Sequence, residues 1–377
     1  MALFNAENMK IRLLTFAAAA AFFFGTALGS DAQTVWHNPE DASVDMIQGQ
    51  EYKGQERESF YHRFPKSANG KVRKPVWNLS KSSAGESILF STDADSISIR
   101  YVVTGGYEMP HMPATGVSGV DLYTSDKDGG EVWLGARYSF NDTISYNYRP
   151  IEVVNGTGGM QAYTLFLPLY NEVAWMEIGT ESGAEFRFDP TPSQKPIVAY
   201  GTSIGQGACA SRPGMAWTNI LQRRMRREVV NLGFSGSAHM ENEVIDLIAE
   251  IDAAVYLLDA MPNVCSFEPE QIRDTVLNAV RRLRTQRPDT PILLVDHLGY
   301  PHGKANPDAK KKEEYALAMQ KEAYKILRKE GVAKLYYLSY EEIAMPQDAT
   351  IEGSHPSDYG MQVYAEAYEK KLKKILK

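Results

Sequence analysis

Ser203, Gly233, Asn263, Glu352 and His355 are the residues of this 377-residue chain whose types fit a single reaction. A serine hydroxyl is a weak nucleophile and needs a base within hydrogen-bond reach. An imidazole supplies that base when a carboxylate fixes its tautomer and stabilises its charged form. Backbone N–H groups and an amide side chain can bind the oxyanion of a tetrahedral intermediate. The set would carry acyl transfer through an acyl-serine, with no metal and no cofactor. Each motif has a plainer reading alone. Gly201-Thr202-Ser203-Ile204 is an ordinary turn, Asn263 a common turn residue, and Glu352-x-x-His355 fits a capped helix start. A phosphate cradle is the rival for the first, but Gly201-x-x-x-Gly205-x-Gly207 lacks the P-loop lysine and does not fit Gly-x-Gly-x-x-Gly.

What unites the motifs is their position after strands. From residue 193 the chain alternates short apolar runs (197–200, 229–232, 253–258, 292–295, 335–338) with amphipathic segments (269–287, 315–330, 359–376). That alternation predicts an α/β domain, a parallel sheet covered on both faces. Ligands of such sheets bind beyond the carboxyl ends of the strands. In the common order 2-1-3-4-5, the second and third strands flank the first. The Gly233 N–H and the Asn263 side chain then fall on either side of Ser203. Asp296 and His297 follow the fourth strand and are the rival carboxylate and the rival base. His297 is also a candidate substrate contact, as is Arg212 beyond the serine turn; Arg212 has the alternative of capping an interface.

Residues 33–192 read differently. Runs such as 96–102, 131–134 and 163–167 alternate with period 2 and are separated by Gly105-Gly106, Asp128-Gly129-Gly130 and Gly156–Gly159. No helical stripe is evident, so an antiparallel β-sandwich is expected, ending at the linker Asp189-Pro190-Thr191-Pro192. Its aromatics (Tyr61, Trp77, Tyr107, Tyr123, Trp133, Trp175) suit a core, and suit sugar stacking as well. Residues 109–113 and 117–123 form a candidate loop toward the second domain.

Composition sets the outer limits. With 44% hydrophobic and 23% charged residues the chain is globular, and a net charge of −7 gives no support for a duplex nucleic-acid binder. Lys10 and Arg12 precede an uncharged run over 13–28, followed by small residues. Residues 1–32 therefore read as a secretory signal, and the protein is expected in the periplasm or outside the cell. The run is short for a membrane span of about 20 residues, although a retained anchor is the alternative. Cys209 and Cys265 are too few for a disulfide framework and leave open a single bridge or two free thiols.

Four segments together resemble the conserved blocks of the SGNH (GDSL-like) hydrolase superfamily. They are Gly201-Thr202-Ser203-Ile204, Asn231-Leu232-Gly233-Phe234-Ser235-Gly236, Asp259-Ala260-Met261-Pro262-Asn263 and Glu352-Gly353-Ser354-His355-Pro356. Gly207-Ala208-Cys209-Ala210-Ser211-Arg212-Pro213-Gly214 with Trp217, and Gly119-Val120-Asp121-Leu122-Tyr123 upstream, resemble the subgroup carrying an N-terminal GxDLY module; so does Val76-Trp77-Asn78-Leu79-Ser80. The resemblance implies a flavodoxin-like three-layer SGNH domain behind the sandwich. It implies Ser203 as nucleophile and oxyanion donor, Gly233 and Asn263 as further donors, and His355 as base. The orienting residue three before the histidine is usually Asp; here it is Glu352, and some related esterases work with a Ser–His pair alone. Related exported enzymes with this domain order often deacetylate polysaccharides. The expectation is a serine esterase acting on acetylated glycans. A lipid, aryl-ester or thioester hydrolase is the first alternative, and a non-catalytic carbohydrate-binding protein the second. The oligomeric state is not read from the sequence.

Overall fold

A computed structural model describes residues 33–149, 151 and 159–377. The expected secretory signal (1–32) and most of the Gly156–Gly159 turn lie outside the described residues.

The N-terminal region carries two antiparallel sheets. One orders the strands Thr34–His37, Val173–Glu181, Ile97–Val103, Ile144–Tyr148 and Arg137–Ser139. The other orders Phe186–Phe188, Ser87–Thr92, Gln161–Phe166, Asp121–Ser125 and Glu131–Leu134, with Ile47–Gln48 also pairing to Ser87–Thr92. Period 2 explains the layering: Ile97, Ile99 and Tyr101 are buried while Ser98 and Arg100 between them are not. Ile88, Phe90, Leu122, Leu165, Met176 and Ile178 join them in a common core.

A helix over Lys74–Ser80 departs from the all-β expectation. It is two turns long, too short for its stripe to stand out, and Pro75 opens it. Its buried residues Val76 and Trp77 pack into the core of the second domain, together with Tyr52, Phe64 and Val72. The seam between the two regions is thus partly core.

The second region has five parallel strands, Ile197–Gly201, Val229–Gly233, Val255–Asp259, Ile292–Val295 and Leu335–Leu338, in the spatial order second-first-third-fourth-fifth. Alternate residues of one strand serve opposite faces. Val198 and Tyr200 join the core under Asn242–Glu250, Pro269–Gln286 and Pro307–Lys329. Ile197 and Ala199 join the core under Trp217–Met225 and Asp358–Ile375. Both faces are dry, so these strands read as continuous apolar runs. The helix Pro307–Lys329 starts eight residues before the apolar stripe suggests. Asn306 caps it by accepting from the Ala309 N–H, and its first turns are charged and lie in solvent.

Candidate active site

Ser203 is the first residue of a short helix, Ser203–Gln206, that begins where the first strand ends. Thr202 caps this helix, its hydroxyl accepting the Ile204 N–H at 3.3 Å. Gly207 closes it at φ +108°, a left-handed conformation that favours glycine. Ser203 is almost buried, and no described group accepts its backbone N–H. His355 sits 152 residues further on, in a loop closed by the isolated Thr350–Pro356 bridge. Its Nε2 lies 2.8 Å from Ser203 Oγ. Its Nδ1 lies 2.5 Å from Glu352 Oε1, which also accepts the His355 N–H at 3.0 Å. The extra methylene of Glu relative to Asp is taken up by this local turn. Gly353 allows it: φ is +87°, and a Cβ there would lie 2.5 Å from His302 Nδ1.

The other Glu352 oxygen meets a thiol. Cys209 Sγ donates to Oε2 at 3.9 Å. Burial, and then the Glu352 charge, push this thiol up to about 12, so it remains a donor. Cys209 and Cys265 are both free, and Cys265 Sγ meets Pro262 O and Tyr300 Oη instead. Each thiol has its own partners, and the two form no bridge. Cys209, Glu352 and His355 also present ligand atoms within 4.8 Å of one another, close enough to hold a metal ion. An ion there would compete for the same carboxylate and imidazole.

The donors expected around the oxyanion are placed unevenly. Asn263 Oδ1 accepts the Ala238 N–H at 3.0 Å, which fixes the amide and leaves Nδ2 without a described acceptor. Gly233 is different, because its N–H is spent on Asn231 Oδ1 at 2.9 Å. The need for glycine here is packing: a Cβ would stand 2.1 Å from Gln206 N. Three residues on, Gly236 is exposed at φ +64°, and no described group accepts its N–H. Gln206 Oε1 fixes this turn by accepting the Ser235 N–H at 3.1 Å. The missed signal is positional. Gly233 is the last residue of a paired strand, whereas Gly236 lies in the turn beyond it, between Ser235, whose N–H goes to Gln206 Oε1, and Ser237, whose N–H goes to Phe234 O.

Three other candidates are tied up elsewhere. Asp296 accepts from Gln320 Nε2 at 3.0 Å, from the Tyr340 N–H at 2.9 Å and from the Tyr337 hydroxyl, so it does not orient His355. His297 is buried, its Nδ1 accepts the Gly299 N–H at 2.9 Å, and burial lowers it to about 4. It is a neutral core residue rather than a base or a substrate contact. Arg212 reaches back to the sandwich. It donates to Asp121 Oδ2 at 2.8 Å and Tyr123 Oη at 2.7 Å, and lies 4.2 Å over the Trp133 ring. Asp121 Oδ2 also accepts the Gly214 N–H at 2.6 Å. The Asp and Tyr of Gly-x-Asp-Leu-Tyr are therefore a clamp between the two regions.

A second clamp was not legible. Arg63, fully buried, donates to the carbonyls of Asn231 and Gly233 at 3.0 and 2.9 Å, and to those of Ser82 and Leu79 at 2.8 and 2.6 Å. The sandwich region thus holds the strand end that leads into the Gly236 turn. Of the aromatics considered for sugar stacking, Tyr61, Trp77 and Tyr123 are core, and Trp133 is half exposed.

Matches to known families agree with this architecture. Residues 194–373 match the GDSL-like lipase/acylhydrolase family, and residues 34–186 match the GxDLY module found at the N-terminus of SGNH-hydrolase-type esterases. The fold resembles a Bacteroides ovatus protein described as a GDSL-like lipase, with 31% identity, TM-score 0.82 and coverage of 91% of this chain and 98% of that one. It also resembles the salicylyl-acyltransferase SsfX3 of a tetracycline biosynthetic pathway, with 19% identity, TM-score 0.71 and coverage of 91% and 97%. An acetyl xylan esterase of the rumen bacterium Butyrivibrio proteoclasticus shares the fold at 11% identity, TM-score 0.53 and coverage of 91% and 99%. No curated protein sequence matches the chain. The chain belongs to the GDSL-like (SGNH) lipase/acylhydrolase family, a class of ester hydrolases, and carries the GxDLY module in front.

Proposed function

We propose that the protein is an exported serine esterase that removes acetyl groups from glycans through an acyl-serine intermediate. The observation that carries the reading is the relay Ser203 Oγ–His355 Nε2 at 2.8 Å with His355 Nδ1–Glu352 at 2.5 Å. In it, His355 takes the Ser203 proton as Oγ attacks the ester carbonyl. Glu352 holds the imidazole in the tautomer that accepts this proton and stabilises the imidazolium. The oxyanion is met by the Ser203 N–H, the Gly236 N–H and the Asn263 amide, with Gly236 in the role first expected of Gly233. His355 then protonates the leaving alcohol, and water attacks the acyl-serine by the reverse path.

The acetyl and glycan parts of the reading draw support from the acetyl xylan esterase that shares the fold. Export draws its support from the basic and apolar order of residues 10–28. The test is acetate release from acetylated xylan by the wild type and by Ser203→Ala. Release by the wild type alone is expected. Equal release by both, or none by either, removes the glycan reading, and 4-nitrophenyl acetate then reports whether any esterase activity exists.

A further inference from the structure

The sandwich region places a ring beside the base. His111 and His355 lie with ring centroids 6.0 Å apart and planes 27° from parallel. His111 sits at the tip of a tight turn in which Met109 and Met112 exchange both backbone hydrogen bonds at 3.0 Å. Pro110 is the other tip residue, and its ring fixes φ.

This turn is pinned to the segment that follows Ser203. Met112 is buried in a small cluster with Val117, Ala208 and Cys209. Thr115 Oγ1 donates to Ser211 O at 2.7 Å. Gly116 approaches so closely that a Cβ would lie 2.4 Å from Ala210 O. The tip is therefore ordered before any ligand arrives, which lowers the cost of binding. His111 itself is exposed and makes no described hydrogen bond. A polar side chain held in place, uncommitted, next to the base is arranged to meet a ligand.

The chemistry says which part of the ligand. The expelled alcohol oxygen takes its proton from His355, so the alcohol lies on the His355 side. The carbonyl oxygen lies on the opposite side, facing the Ser203 N–H and Asn263. We propose that His111 binds the alcohol portion of the ester through a hydroxyl next to the reacting oxygen, as a sugar or another polyol would offer. It thereby sets selectivity among alcohols. This inference rests on the esterase reading of Ser203 and His355.

The test compares the wild-type full chain with His111→Ala and His111→Phe. One series varies the alcohol of an acetyl ester: 4-nitrophenol, glycerol and a methyl glycoside. The other varies the acyl group of a 4-nitrophenyl ester, acetyl against butyryl. Both variants are expected to lose about 10-fold in kcat/KM for the polyol acetates relative to 4-nitrophenyl acetate, mainly through KM, which is the scale of one hydrogen bond. The acetyl-to-butyryl ratio should stay within about two-fold. An unchanged alcohol preference, or an acyl preference shifted equally, overturns the inference. A Phe variant that keeps the wild-type alcohol preference also overturns it, because the ring alone would then suffice. Wild-type turnover of 4-nitrophenyl acetate without any polyol acetate overturns both the inference and the glycan reading. Turnover of no ester overturns the esterase reading beneath them.

Discussion

The serine end and the histidine end of the site are built by different means. Ser203, the Gly233 strand end and the Gly236 turn are locked from below. Asn231 crosslinks Gly205, Thr218 and Gly233, and Arg63 grips the carbonyls of Asn231 and Gly233. Each of these partners is buried. His355 and Glu352 instead sit on a surface loop, with Glu352 in contact with solvent. Their geometry depends on a few local hydrogen bonds and the positive φ of Gly353. Ser203 is thus positioned by the core and His355 by its own short loop. Damage to the buried groups that hold the first end should cost folding, and damage to the Glu352–His355 contact at the second should cost rate.

Breaking the chemistry itself gives the largest effect. Ser203→Ala should lower kcat by about 10⁴-fold or more on an activated acetyl ester, with the far-UV spectrum unchanged. Arg63→Met strikes the buried end. It removes a buried donor from four carbonyls, of which Leu79 O keeps the Ser82 N–H, and should destabilise by about 2–4 kcal/mol, read as a lower urea midpoint. An unchanged midpoint would contradict the view that the sandwich holds the strand end. Glu352→Gln strikes the exposed end. Stability should hardly move, while kcat falls about 100-fold because the amide can present its N–H to the imidazole. A loss under about threefold would mean that the Ser–His pair works alone.

The smallest effect concerns pH at the buried seam. Glu228 precedes the second strand, accepts the Gly49 N–H at 2.6 Å, and is pushed up to about 7 by burial and then by Glu51. Between its ordinary value of 4.5 and about 7 the folded protein keeps a proton that the unfolded chain releases. That contribution to stability is present at low pH and is lost as pH rises through about 7. The urea midpoint of the wild type should therefore fall more from pH 5 to pH 8 than that of Glu228→Gln. Parallel behaviour of the two would place the proton elsewhere.

Much of this was legible before folding. The apolar runs are long enough to mark all five parallel strands, and strand ends are where such sheets gather chemistry. Ser203, Asn263, Glu352 and His355 could be singled out as candidates because each lies beyond the end of one of these runs. The helix Lys74–Ser80 was hidden by its length, and the choice between Gly233 and Gly236 by the fact that both are glycines in one segment. Arg212 looked available because nothing in its own neighbourhood pairs with it; its partner Asp121 lies 91 residues upstream.

Local pattern thus determined the elements and the residue types at their ends, since period and turn chemistry act over a few residues. Tertiary packing decided which groups remain free to react. A backbone N–H or a carboxylate is available only if no other group reaches it first. For Gly233, Asp296 and Arg212 another group does, whereas His111 is left open beside His355.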